Sequence, residues 1–219
     1  MDMDDDDKKT MTRREREREQ HRQEILDAAE AIFTERGITG VTIEDIAKKA
    51  EFAVGSIYNF FSGKDELIHQ VFLRVATIRN AQIEEAVMPL AGCPVEALRA
   101  LTQTWISHHR LHGSFLRAAF VFEMAKGWKP GTPMFNPELM TLFKRYETLG
   151  CAFFKKGVEA GVFHKLPPLH LLMIFEGTCR SFVMNVERTR DDRPADALAD
   201  ELFGLVHAAL TGRLLEKLA

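Results

Sequence analysis

Between Thr42 and Leu67 the chain gathers side chains suited to gripping a polyanion rather than to making or breaking bonds. Thr42 precedes a short apolar-periodic run, where its hydroxyl can cap a helix start and lie near a phosphate. Ala53 and Val54 then open a segment in which Gly55, Ser56 and Asn59 are small or amide-bearing. Such side chains can approach base edges: Asn bonds adenine bidentately, and Ser donates or accepts. Tyr58 and Lys64 suit phosphate contacts, which fix position without reading sequence. The chemistry implied is recognition of double-stranded DNA.

Those residues need a scaffold, and the spacing predicts one. Two short helices joined by a tight turn, with a third helix start directly after, form a helix-turn-helix over residues 42–67. A helix as short as the one near Val54 to Phe60 cannot stand alone, so its neighbours must hold it out. Ile46, Ala50, Ile57, Phe60 and Phe61 are the expected core beneath it. The first helix, about Gln20 to Arg36, places Ile25, Ala28, Ala29, Ile32 and Phe33 on one stripe and stops at Gly37. Thr42 with Asp45, and Ser62 with Asp65, read as capping boxes for the flanking helices.

Helical periodicity continues through the rest of the chain, and no alternating segment or hairpin signal interrupts it, so the fold class is all-α. Further helices are expected at about 65–88, 94–112, 114–126, 137–160, 168–189 and 195–217, with Gly113 a stop. The break at 127–137 holds three prolines and has the length of a lid. The penultimate helix carries Leu171, Leu172, Phe175, Phe182, Val183 and Val186 beside small Gly177, Thr178 and Ser181. The last carries Leu198, Leu202, Leu205 and Ala209 on one stripe, with Phe203, Val206, Leu210 and Leu214 on an adjacent one. Stripes that wide suit a four-helix pairing across a two-fold axis, giving a homodimer through the last two helices. Trp105, Phe122, Trp128, Met134, Phe153, Phe175 and Cys179 are candidates to line a ligand site for a hydrophobic or aromatic effector.

Several classes are set aside. No run approaches the roughly 18 apolar residues of a membrane span and no signal-peptide core is present, so a cytoplasmic protein with no membrane partner is expected. Cys93, Cys151 and Cys179 are odd in number and far apart, which argues against a disulfide framework or zinc knuckle. His108, His109 and His112 form the one metal-like cluster, but just before Gly113 they suit a helix C-terminus better, and neither metal nor cofactor is expected. No nucleophile-base order, phosphate loop or paired-carboxylate constellation marks an enzyme. Residues 1–10 include Asp4 to Lys8, which resembles an enterokinase cleavage site and reads as a tag or leader. The expected domains are residues 11–70 for the DNA-binding head and 71–219 for ligand binding and dimerisation.

Charge complicates the head. Residues 11–70 carry nine Lys/Arg against twelve Asp/Glu, a net of −3, so a generic basic footprint is missing. From Phe52 to Lys64, however, no residue is acidic. Arg13, Arg14, Arg16 and Arg18 alternate with Glu15, Glu17 and Glu19, a pattern open to a salt-bridged helix extension or a minor-groove arm.

The spacing Ile25-Leu26, Ala28-Ala29, Phe33, Gly37, Thr42-Ile43, Ile46-Ala47, Ala50, Gly55, Ile57-Tyr58, Phe60-Phe61, Lys64, Leu67 resembles the DNA-binding head of the TetR family of transcriptional regulators. The turn from Gly157 to Phe163 is the one further local echo. The resemblance implies an all-α homodimer whose heads bind a palindromic operator and whose C-terminal bundle binds a small molecule that releases the DNA. The competing expectation is a TetR-like small-molecule or lipid carrier that has lost DNA binding. Four positions depart from the family pattern: Glu51 stands where glycine is usual, Val54 where lysine is common, Glu44 where arginine or another polar residue is, and Asn59 where histidine is. Glu51 would be strained by about 1 kcal/mol if its φ is positive.

Overall fold

The protein is described by a computed structural model over residues 11–90, 92–125 and 136–212. Among those residues the chain forms eight α-helices and no strand. They are α1 (Arg13–Arg36), α2 (Ile43–Ala50), α3 (Val54–Tyr58), α4 (Lys64–Val87), α5 (Pro94–Ala125), α6 (Pro137–Glu159), α7 (Pro168–Thr189) and α8 (Ala195–Thr211). Residues 127–135 of the expected lid lie outside the described residues, as does Leu214, while Asn136 and Pro137 cap and open α6.

Two helices differ from expectation for identifiable reasons. α1 begins at Arg13, well before Gln20, because Thr12 and Glu15 form a reciprocal capping box. Arg13 adds an i, i+4 pair to Glu17 at 2.8 Å, so the Arg/Glu stretch is helix extension and not an extended arm. Periodicity missed it because nothing there is buried; the apolar stripe starts only at Ile25.

The expected stop at Gly113 is a second correction, since α5 runs through it unbroken. A Cβ at Gly113 would lie 2.4 Å from the His109 ring. Glycine at this position makes room for His109 to fold back along its own helix, where Nε2 meets Glu187 Oε1 at 3.1 Å. The histidines therefore do not cap a helix end.

The chain divides into two compact units, one through Val71 and one from Phe72, with the boundary inside α4. In the first, Ile25, Leu26, Ala29, Ile32 and Phe33 of α1 are buried with Ile46, Ala47, Ile57, Phe61 and Leu67. In the second, α5 packs on α8 and α7, and α6 on α7. Leu198, Leu202, Phe203, Val206 and Leu210 bury one side of α8. Phe154 stacks within 6.1 Å of Phe153, Phe163 and Phe175, and Phe163 lies so close to Gly157 that a Cβ there would clash at 2.1 Å.

Candidate nucleic-acid interface and effector cavity

The start of α2 is built from its own sequence. The Thr42 hydroxyl accepts from the Asp45 N–H at 3.2 Å, and the Asp45 carboxylate accepts from the Thr42 N–H at 3.0 Å. These bonds from the Thr42 backbone and hydroxyl hold the Asp45 carboxyl below its usual range. Lys64 joins the same corner: its ammonium donates to the Val41 carbonyl at 2.7 Å, placing a cation one residue from the cap. Lys64 thus ties the start of α4 to that of α2.

The turn into α3 closes as a Schellman motif. The Phe52 N–H donates to the Ala47 carbonyl at 3.0 Å, and the Glu51 N–H to Lys48 at 3.4 Å. The motif requires a left-handed residue, and Glu51 supplies it at φ 60°, ψ 33°. Glutamate there carries the strain that glycine would avoid.

α3 spans five residues and buries only Ile57. Every other side chain on it is at least partly open: Ala53, Gly55, Tyr58 and Asn59 are exposed, and Val54 and Ser56 are half-buried. Tyr58 is 53% exposed, which removes it from the core and leaves its ring and hydroxyl on the surface. Two expected core residues are corrected here, since Ala50 and Phe60 are only half-buried. Phe60 lies under the Arg18 guanidinium at 5.8 Å, and Phe61 under Arg22 at 5.5 Å. Arg14 and Arg18 line the same open groove as Asn59 and Phe60.

At the start of α4 the carboxylate that returns to the Ser62 N–H is Glu66, at 2.5 Å, rather than the expected Asp65. Hydrogen bonds from Ser62 hold the Glu66 carboxyl low. Two nearby acids are engaged in the scaffold, Glu35 with Lys49 at 2.7 Å and Asp45 with Arg36 at 3.5 Å, while Glu44 and Glu51 are exposed. The surface around α3 is small, polar and without an acidic residue from Phe52 to Lys64.

In the second unit an apolar cavity of about 110 Å³ is lined by Ile83, Leu101, Tyr146, Leu149, Phe153 and Leu172, among others. Of the expected ligand-site residues only Phe153 lines it. Phe175 and Cys179 are fully buried core, Trp105 and Phe122 are half-buried, and Trp128 and Met134 lie outside the described residues. Burial pushes the Cys179 thiol up, so it is protonated and unreactive. Among the described residues no group of three or more His, Cys, Asp or Glu is placed to hold a metal ion, and no helix is long and apolar enough to cross a membrane.

Sequence reasoning missed Arg79 and Tyr146, which line or adjoin this cavity. A signal was present for Arg79: it interrupts the i, i+4 apolar run Val71, Val75, Ile83 and Val87 on α4.

Residues 25–71 match the model of bacterial regulatory proteins, tetR family. The chain is 33% identical over 91 residues to the HTH-type transcriptional repressor KstR2 of Mycobacterium tuberculosis, a match covering 40% of this chain and 45% of that protein. The chain thus spans less than half the length of this curated relative. The structure of KstR2, described as a ketosteroid transcriptional regulator, superposes with a TM-score of 0.66 over 87% of this chain and 94% of that one at 21% identity. The fatty acid degradation regulator FadR from Bacillus halodurans gives 0.69 over 84% and 93%, also at 21% identity. Both likenesses show the shared fold. Residues 25–71 thus match the DNA-binding head of the tetR family of bacterial regulatory proteins, and the all-α fold is shared with these structures along most of the chain.

Proposed function

We propose that the chain is a ligand-responsive repressor that acts as a homodimer, binds a palindromic operator through α3, and releases it when a small hydrophobic or aromatic effector enters the second unit. The observation that carries this reading is α3 itself. A five-residue helix that buries one side chain and leaves Ala53, Gly55, Tyr58 and Asn59 exposed is built to meet something outside the protomer. Thr42, Tyr58 and Lys64 hold phosphates; Ser56 and Asn59 read bases. Ala53, Val54 and Gly55 let the helix approach the groove.

The dimer reading is supported by α7. Met173 and Met184 are exposed with Gly177 and Ser181 between them, and Leu205 of α8 lies alongside. A Cβ on Gly177 would meet nothing within 4 Å in the protomer, so nothing in its own chain calls for glycine there. Close approach of a second copy does. The names of KstR2 and FadR refer to a ketosteroid and to fatty acid degradation, and a cavity with an apolar lining suits an effector of that lipophilic kind.

A gel shift at graded salt, with DNA from upstream of the chain's own gene, tests the reading. Retardation is expected, and because few cations surround α3, log K falls with log salt by a slope shallower than about −8, each phosphate contributing about 0.9. Absence of retardation at low salt would instead favour a carrier that has lost DNA binding.

A further inference from the structure

Three helices bring polar groups into the interior of the second unit, Arg79 and Asn80 from α4, Trp105 and His108 from α5 and Tyr146 from α6, with the half-buried Glu176 of α7 beside them. Arg79 Nε, Asn80 Oδ1 and both ring nitrogens of His108 are sealed from solvent without a hydrogen-bond partner, while the equally sealed Trp105 indole and Tyr146 hydroxyl face each other. Tyr146, Asn80 and His108 are each less than one-tenth exposed. A folded protein leaves few such groups, and a concentration of them calls for a partner.

The most demanding member is Arg79. Its Cζ sits 4.7 Å from the centroid of the Tyr146 ring, and among the described residues its guanidinium makes no hydrogen bond or ion pair. The charge of Glu176 favours it and that of Arg180 opposes it. Arg180 itself is exposed, so water screens its charge, and Arg79 is half-buried. Burial, reinforced by the nearby His112 and Arg79, lowers His108 to about 3, so it adds no charge at neutral pH. Ordered water can satisfy the indole and the hydroxyl, but it cannot neutralise the guanidinium.

The sealed groups are mostly donors. Arg79 and Trp105 can only donate, while Tyr146 and neutral His108 can do so with one proton each. Tyr146 also lines the apolar cavity beside Ile83, Leu101, Leu149, Phe153 and Leu172. Tyr146 thus separates the Arg79 guanidinium, stacked on its ring, from the apolar cavity that it lines.

We propose that this cluster is the headgroup end of the effector site and that the effector is an amphipathic carboxylic acid. Its carboxylate accepts from Arg79, Trp105 and Tyr146, and its apolar body fills the cavity. The inference rests on the ligand-responsive reading above and narrows it from hydrophobic molecules to lipophilic anions. A planar carboxylate matches the guanidinium fork, which makes no hydrogen bond or ion pair among the described residues.

Calorimetric titration of the full chain with sodium decanoate and sodium 4-phenylbutanoate, against methyl decanoate and 1-decanol, tests it. The acids are expected to bind at least about tenfold more tightly than the neutral analogues, the scale of a hydrogen bond to a charged group. Arg79→Met should lose that margin while leaving affinity for methyl decanoate unchanged. Tyr146→Phe and Trp105→Phe, each deleting one donor and little volume, should weaken acid binding about three- to tenfold and keep the test open if Arg79→Met fails to fold. Equal binding of acid and ester, acid affinity indifferent to all three substitutions, or no acid binding overturns the proposal. A gel shift with the same acids separates the two readings: acid bound with the operator complex intact removes effector release and keeps the headgroup assignment.

Discussion

The two units handle polar groups in opposite ways. In the head nearly every polar device is local and satisfied: Thr12 with Glu15, Thr42 with Asp45, and Ser62 with Glu66 close within four residues, and even Lys64 finds the Val41 carbonyl. Apart from the sealed His69 Nε2, what the head leaves open faces outward on α3. In the second unit the open groups face inward, on side chains brought together from three helices, α4, α5 and α6. A surface that reads DNA can stay hydrated until its partner arrives, so exposing polar groups costs little. A cavity that awaits a ligand holds unpaired polar groups in a poorly hydrated interior, and that costs stability in the empty protein.

The contrast is broken most directly by acid. His108 titrates at about 3 when folded against 6.5 when unfolded, so the unfolded chain binds the proton first. Stability is therefore full above about pH 6.5 and lost as pH falls toward 3, on the order of 3 kcal/mol by pH 4 from this group alone. His109 is also lowered by burial and pushes the same way, while the depressed carboxyls of Asp45 and Glu66 add a loss at lower pH. His108→Leu should remove only the first part. Urea unfolding of both proteins from pH 7 to pH 4 measures the difference, and parallel curves would mean that His108 is not sealed from water.

Arg79→Met is expected to stabilise the ligand-free protein by about 1 kcal/mol, the low end of the range seen when buried ionic groups give way to apolar ones, because the side chain is half-buried. Denaturant unfolding without ligand reads it directly. A loss of stability would show that the guanidinium is already compensated, and the second unit would then resemble the head.

Thr42→Ala probes the opposite regime. Losing one cap costs about 1 kcal/mol, and the same change should weaken operator binding if the α2 start holds a phosphate. Combined with Arg79→Met, its effect should add within about 0.5 kcal/mol, because the two sites share no partner. Marked non-additivity in urea unfolding would mean that the units are energetically coupled.

The same contrast explains what was legible in the sequence. Caps, turns and the apolar stripe of α1 operate over three or four residues, so the helix-turn-helix and its exposed α3 residues could be read before any coordinates. Glu51 could be singled out because a turn position dictates its backbone angle. α5 was split at Gly113 because a glycine in a helix reads as a stop until its companion, the His109 ring, is seen. Among the described ligand candidates, picked out by apolar character, Phe153 lines the cavity, Phe175 and Cys179 are core, and Trp105 and Phe122 are half-buried. The polar groups that distinguish the cavity are assembled by tertiary packing, and only the misplaced charge of Arg79 in an apolar register hinted at them.

Glu51 gives the smallest effect and the cleanest one. Its φ of 60° is the angle the Schellman turn demands, and its two hydrogen bonds are intact, so the strain is confined to the left-handed backbone of a residue with a Cβ. Glu51→Gly should raise stability by about 1 kcal/mol and leave the turn unchanged. It also deletes a negative charge adjoining the acid-free stretch that carries α3, so operator binding should tighten. Glu51→Gln separates the two: it keeps the strain and removes the charge, so it should share the gain in affinity without the gain in melting temperature. If Glu51→Gly leaves the melting temperature where it was, the turn is not strained, and the head is as fully relaxed as its local bonding suggests.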